Sequence, residues 1–115
     1  MIGVIFEVWP KPEYKDKYLE IAAELRASLE KIDGFISVER FQSISDENKM
    51  LSLSFFENHQ ALDEWRNIAE HRNAQTIGRT SYFADYRLRV VSIERDYGKD
   101  VRAQAPPDSR EQHNG

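Results

Sequence analysis

"FISVERFQSISDENKMLSLSFFE", residues 35–57, reads as two strands joined by a turn, and that reading decides the fold. In its first half Ile36 and Val38 alternate with Phe35, Ser37, Glu39 and Phe41; in its second half Leu51, Leu53 and Phe55 alternate with two serines. A period of two is the pattern of a pleated strand whose faces meet different surroundings. The intervening ISDEN is made of turn-forming residues, so the stretch is a hairpin.

Outward from the hairpin the period changes. On its N-terminal side, from Glu13 onward, Tyr14, Tyr18, Ile21, Ala22, Leu25, Leu29 and Ile32 recur at spacings of three and four, which places them on one stripe of a helix. Asp33 and Gly34 stop that helix, with Gly34 suited to the left-handed position just past its end. On the C-terminal side Asn58 can cap a second helix whose inward residues are Ala61, Leu62, Trp65, Ile68 and Ala69, with Asp63 and Glu64 near the positive end of its dipole. Around His71 the period fades, and NAQTIGRTSYF reads as a shorter, offset continuation.

Two further strands flank these helices. Near the N-terminus Ile2, Val4, Phe6 and Val8 fall on one face and Gly3, Ile5, Glu7 and Trp9 on the other, until Pro10 and Pro12 end the run. Near the C-terminus, ADYRLRVVSIERDYG sets Tyr86, Leu88 and Val90 against Arg87, Arg89, Val91, Ile93 and Arg95. The order strand, helix, strand, strand, helix, strand predicts an α+β fold, the ferredoxin-like βαββαβ plait, with an antiparallel sheet carrying both helices on one face. The other face is then assigned Ile5, Trp9, Phe35, Phe41, Met50, Phe56, Val91 and Ile93. A bare apolar face favours a second copy laid sheet against sheet, an isologous homodimer of the dimeric α+β barrel kind, in which Glu7, Glu39, Arg87 and Arg89 can pair. The plainer alternative is that several of these residues sit at strand ends, where exposure is ordinary.

Composition narrows the function classes. A chain of 115 residues fits one domain with one modest core. Sixteen Lys and Arg against 20 Asp and Glu give a net charge of −4, which offers phosphate backbones no global attraction, so nucleic acid is not an expected partner. The absence of cysteine excludes disulfides, thiolate metal sites and a cysteine nucleophile, and makes the cytoplasm the default compartment. The opening MIGVIFEVWPKPE lacks the features of a signal peptide and is too short to span a bilayer, so no membrane partner is expected. The motifs GxGxxG, GxxxxGK, HExxH and GxSxG do not occur. Residues 98–115 form a polar tail with two adjacent prolines, expected to be mobile unless it leans on its own domain or on a second chain.

The βαββαβ order, the Trp65-bearing second helix and the stretch EHRNAQTIGRTSYFADYRLRVVSIERDY, Glu70 to Tyr97, resemble the antibiotic biosynthesis monooxygenase family over residues 2–97. That resemblance implies a small dimeric α+β barrel among cofactor-free oxygenases of aromatic polyketides, quinol-oxidising enzymes and haem-degrading enzymes. Cofactor-free oxygenation needs an electron-rich substrate, an apolar aromatic pocket, a group that takes or shares a proton, and a donor for the enolate-like oxygen. Trp65, His71 and Arg72 are the candidate catalytic set: indole wall, proton relay and oxyanion donor, with Arg87 the alternative donor. Phe6, Trp65, Phe83 and Arg87 are the candidate substrate-binding residues. In the polyketide oxygenases the matching helix has an asparagine one turn before the tryptophan and a tyrosine after it; here these positions hold Ala61 and His71.

Each assignment has a plainer reading. Trp65 shares the stripe of Leu62 and Ile68 and can be a large core residue. His71 lies six residues on, roughly 240° around an unbroken helix, so the two share a cavity only if the helix bends or ends between them. The arginines can be surface or interface charges. His71 is also where haem-degrading relatives place their iron ligand, making haem the alternative to a cofactor-free site; those relatives pair it with an asparagine on the first strand, and residues 2–9 contain none. No metal site is expected from the remaining histidines, His59 and His113. A dimeric, non-enzymatic module that binds a small aromatic molecule is the third class.

Overall fold

The computed structural model describes the backbone of residues 1–75 and 82–108, and their side chains except those of residues 69–75. Its elements are β1 (Ile2–Pro10), a short 3-10 turn (Pro12–Tyr14), α1 (Lys15–Leu29), β2 (Phe35–Gln42), β3 (Met50–Phe56), α2 (His59–Gln75) and β4 (Phe83–Ser92). The four strands form one sheet in the order β2-β3-β1-β4, every neighbouring pair antiparallel. This is the expected βαββαβ plait.

Register sorts the side chains into cross-sheet rows. On the helix-covered side these run Val38, Ser54, Val4, Val90; then Arg40, Ser52, Phe6, Leu88; then Gln42, Met50, Val8, Tyr86. The other side carries Ser37, Phe55, Gly3, Val91; then Glu39, Leu53, Ile5, Arg89; then Phe41, Leu51, Glu7, Arg87. β3 therefore faces opposite to the expectation: Met50 and Phe56 are buried under the helices, while Leu51, Leu53 and Phe55 lie on the open side. The physical reason is that the open side is itself apolar, so leucines need not point inward, and small serines fit beneath α1 and α2. Phe35 also departs from its expected side. A register shift between Phe35 and Ser37 turns Phe35 toward the core, 5.8 Å from Phe56, and leaves Ile36 exposed.

Two apolar clusters result. The larger joins Ile2, Val4, Val38 and Phe56 to Leu29 and Ile32 from α1 and its following turn, and to Ala61 and Leu62 of α2, with Trp65 and Ile68 packed against it. The smaller joins Val8 and Met50 to Tyr18, with Phe6 and Phe83 against it. Ser52, Ser54 and Arg40 occupy the rows between their centres, and Ser54 is 4% exposed.

Local chemistry fixes the connections. The Asn58 side chain accepts from the Ala61 backbone N–H at 3.0 Å, capping α2 as its sequence requires. The β2–β3 loop is held by the Gln42 carboxamide, whose Nε2 faces the carbonyls of Ser43, Asp46, Glu47 and Lys49 at 3.0–3.3 Å. Residues 96–108 fold back: the Asp96 N–H donates to Gln104 Oε1, Ala105 is 1% exposed, and Gln104, Ala105 and Pro107 line a cavity of about 440 Å³ with Met1 and Ile93. The described part of the tail thus leans on its own domain.

Gly34 carries the one positive φ among the described residues, +93°, and its carbonyl accepts from the Glu57 N–H at 2.7 Å. A Cβ there would stand 3.1 Å from the Cβ of Ala61. Gly34→Ala is therefore expected to cost about 1–3 kcal/mol, read as a lower urea midpoint with an unchanged slope.

Candidate functional site

The helix-covered side of β1 and β4 gathers aromatic rings. Phe6 on β1 lies 6.2 Å from Phe83 and 5.8 Å from Tyr86 on β4, Phe83 and Tyr86 are 6.2 Å apart, and Tyr18 reaches down from α1 to within 5.5 Å of Phe83. Parity explains the grouping: Phe6, Tyr86 and Leu88 share one side of the pleat, and a register shift at Trp9/Pro10 brings Phe83 opposite Pro10. Although these β4 residues face the helix side, Tyr86, Leu88 and Val90 are exposed at 57%, 42% and 47%. An apolar strand surface on the covered side of a plait, itself left uncovered, is a surface on which a flat apolar molecule can lie.

Tyr18 is 7% exposed, and burial pushes its hydroxyl pKa up from the usual tyrosine value while the neighbouring Arg40 opposes that rise through its charge and a hydrogen bond. Neither Arg40 nor Tyr18 was singled out as a site residue by sequence. The available signal was parity, since Arg40 is two residues from the inward Val38.

Of the residues expected at the site, the structure brings Phe6 and Phe83 together. Trp65 belongs to the other cluster, its ring 6.2 Å from Phe56. Arg87 stands opposite Glu7 on the open side of the sheet, away from Phe6. The side chains of His71 and Arg72 lie outside the described residues; the α2 backbone stays helical past position 71 to Gln75, so the helix does not end between positions 65 and 71. His59 is exposed at the start of α2. Among the described residues no three His, Cys, Asp or Glu side chains form a metal-binding group, and no described helix is long and apolar enough to cross a membrane.

The open side has a second cluster. Glu7 is paired with Lys49 at 2.5 Å and with Arg89; Lys49 also lies 5.1 Å over the Trp9 ring, whose Nε1 donates to Asp46 at 3.1 Å. Beside it a cavity of about 580 Å³ is lined by Ile5, Phe41, Ile44, Leu51 and neighbouring loop residues. The Lys49 hydrogen bond and then that of Arg89 hold the Glu7 carboxyl below the usual carboxylate range.

A ferredoxin-like domain of this size, with an aromatic surface on its helix side and an apolar opposite side, defines a class of small α+β proteins. Within that class the chain belongs to the antibiotic biosynthesis monooxygenase family, whose model matches residues 1–77. It is 42% identical over 113 residues to the jasmonate monooxygenase ABM of Pyricularia oryzae; the match covers 97% of this chain and 53% of that protein, so the chain spans about half of its relative's length. Among solved structures, Rv0793 from Mycobacterium tuberculosis superposes with a TM-score of 0.72 at 15% identity, covering 84% of this chain and 98% of that one. A MhuD variant with two manganese protoporphyrin IX bound per active site superposes with a TM-score of 0.66 at 16% identity, covering 85% and 99%. These structural likenesses concern the fold.

A depressed folded-state pKa means that Glu7 contributes stability above its ordinary value near 4.5 and loses it as the pH falls through the folded value. Glu7→Gln is accordingly expected to be less stable than the parent at pH 7 and equal to it in strong acid. Thermal melts across that range, with and without added salt, check this, and salt narrows the difference at pH 7.

Proposed function

We propose that this protein is a cofactor-independent monooxygenase that oxidises a small aromatic or quinol-type molecule with O2. The observation that carries the reading is the aromatic surface of Phe6, Phe83, Tyr86 and Tyr18 on the helix side of the sheet, in a chain of this family. Such a reaction asks little of the protein. The substrate, once deprotonated, is the electron donor: where it carries a CH2 carbon conjugated with its phenolate, that carbon and O2 give a carbonyl and water, all four electrons coming from the carbon. The chain must hold the ring, remove water from around it, and steady the anion. Phe6 and Phe83 supply the apolar floor, with Trp65 bracing it from the adjoining cluster. His71 and Arg72 are proposed as proton relay and oxyanion donor; Arg87, on the open side beside Glu7, is assigned to the dimer face instead. The relative named jasmonate monooxygenase lends support to a monooxygenase that acts on a small organic molecule.

The haem reading rests on the porphyrin-bearing structural neighbour. Among the described side chains, the aromatic cluster contains no imidazole, His59 is exposed at the far end of α2 and the first strand offers no amide, while the side chain of His71, the ligand this reading names, lies outside the described residues. No step is therefore assigned to haem.

The assembly proposed is a homodimer through the open side. Leu51, Leu53, Phe55, Ile5, Val91 and Ile93 make a face too apolar for a lone sheet, and Val91, Ile93 and Phe55 already crowd over Gly3, where a Cβ would meet them at 3.1–3.5 Å. Cytoplasmic residence is proposed on the cysteine-free composition.

Oxygen uptake with anthrol- and quinol-type compounds is expected to fall severalfold in Trp65→Phe and His71→Ala, while haemin titration gives no stoichiometric Soret shift. Unchanged uptake would clear both residues of a role. Leu53→Lys, which places a charge in the centre of the open side, is expected to convert dimer to monomer in sedimentation velocity; a parent protein already monomeric at micromolar concentration refutes the assembly.

A further inference from the structure

The helix side holds one cation that the aromatic cluster leaves unused. Arg40 lies in the row Arg40, Ser52, Phe6, Leu88, on the same side as the buried Val38. Its guanidinium stands beside the Tyr18 hydroxyl, and its Nε is shielded from solvent without an acceptor. Arg40 has no carboxylate partner among the described residues, and unlike the exposed cations of the surface it cannot rely on water at its Nε. A half-buried guanidinium without an anion bears the desolvation cost of its charge and lacks the interaction that offsets it.

An anion from outside would supply that interaction. The planar fork of a guanidinium matches the two oxygens of a carboxylate, and a tyrosine hydroxyl adds a third donor. Tyr18 ties the polar end to the apolar one, because the same side chain that meets Arg40 packs edge-on against Phe83. Two strand spacings, about 10 Å, separate the Arg40 strand from that of Phe6, a span that a bicyclic ring acid covers.

We propose that Arg40 and Tyr18 bind the carboxylate of an amphipathic substrate whose apolar body lies against Phe6, Phe83 and Leu88, so that the substrate class is a small cyclic or aromatic carboxylic acid. The word substrate rests on the monooxygenase reading; the anion site does not. Arg40 and Tyr18 act here as specificity-determining residues, holding one end of the molecule and setting which carbon is turned away from the aromatic surface.

The test compares 2-naphthoate with its methyl ester, binding of each to the full chain being followed by calorimetry. The acid is expected to bind saturably and at least tenfold tighter than the ester. Arg40→Gln removes that preference and leaves ester affinity unchanged, and Tyr18→Phe weakens the acid severalfold. Arg40→Lys, which keeps the charge and loses the fork, guards against misfolding of the glutamine variant and is expected to retain part of the preference. Equal binding of acid and ester, no saturable binding of the acid, or an acid preference that survives Arg40→Gln overturns the proposal. Oxygen uptake is recorded separately. Acid-selective binding without turnover of any compound removes the oxidation reading and keeps the site; turnover of neutral quinols without acid preference does the reverse.

Discussion

The pairing of β1 with both β3 and β4 is the constraint on which the rest of the structure depends. Because side chains alternate across a pleat, fixing Phe6 opposite Ser52 and Leu88 decides the side of the residues from Ile2 to Val8 and of their partners in β3 and β4 at once. A slip of one residue would drive Glu7 beneath the helices and expel Phe6, exchanging an ion-paired carboxylate for an aromatic ring in the core. The Glu7 pairs with Lys49 on the β3 side and Arg89 on the β4 side oppose that slip from both neighbours, since each partner meets Glu7 only in the observed alignment.

Element order was legible in the sequence because each element carries its own punctuation. Pro10 and Pro12 close β1 and Asn58 caps α2 as their chemistry predicts, whereas Gly34 takes its positive φ at the entry to β2, because α1 has already ended at Leu29; a plait follows from the order alone. Side assignment was less legible. The run LSLSFF reads as leucines inward and serines outward under the rule that apolar residues seek the core, yet that rule presumes one wet face. Here both faces are apolar, so alternation gives the period without the sign, and only the partner strand supplies the sign. Phe35 and Ile36 exchanged places for a different reason: a one-residue register shift, which no spacing in the sequence announces.

The candidate site was legible in part. Phe6 and Phe83 were singled out on residue type and brought together by register, despite lying on strands at opposite ends of the chain. Trp65 packs its ring against Phe56 in the larger cluster rather than beside Phe6 and Phe83. Arg87 sits across the sheet from Phe6 because an odd residue offset from Leu88 reverses its side. Tyr18 and Arg40 each look ordinary alone, one as a member of a helix stripe and the other as a strand charge. Only their approach across α1 and β2 makes them a pair.

The β2–β3 loop obeys a different rule. Gln42 addresses the carbonyls of Ser43, Asp46, Glu47 and Lys49, which are main-chain groups that any amino acid would present. The shape of the loop is thereby separated from most of its own side chains. Across descendants of this sequence, positions 44, 45, 47 and 48 are free to drift while the hairpin keeps its form, whereas Gln42 and the Asp46 carboxylate that anchors Trp9 are tied to it. Variation concentrated at those free positions would recolour the rim of the open side without disturbing the sheet beneath.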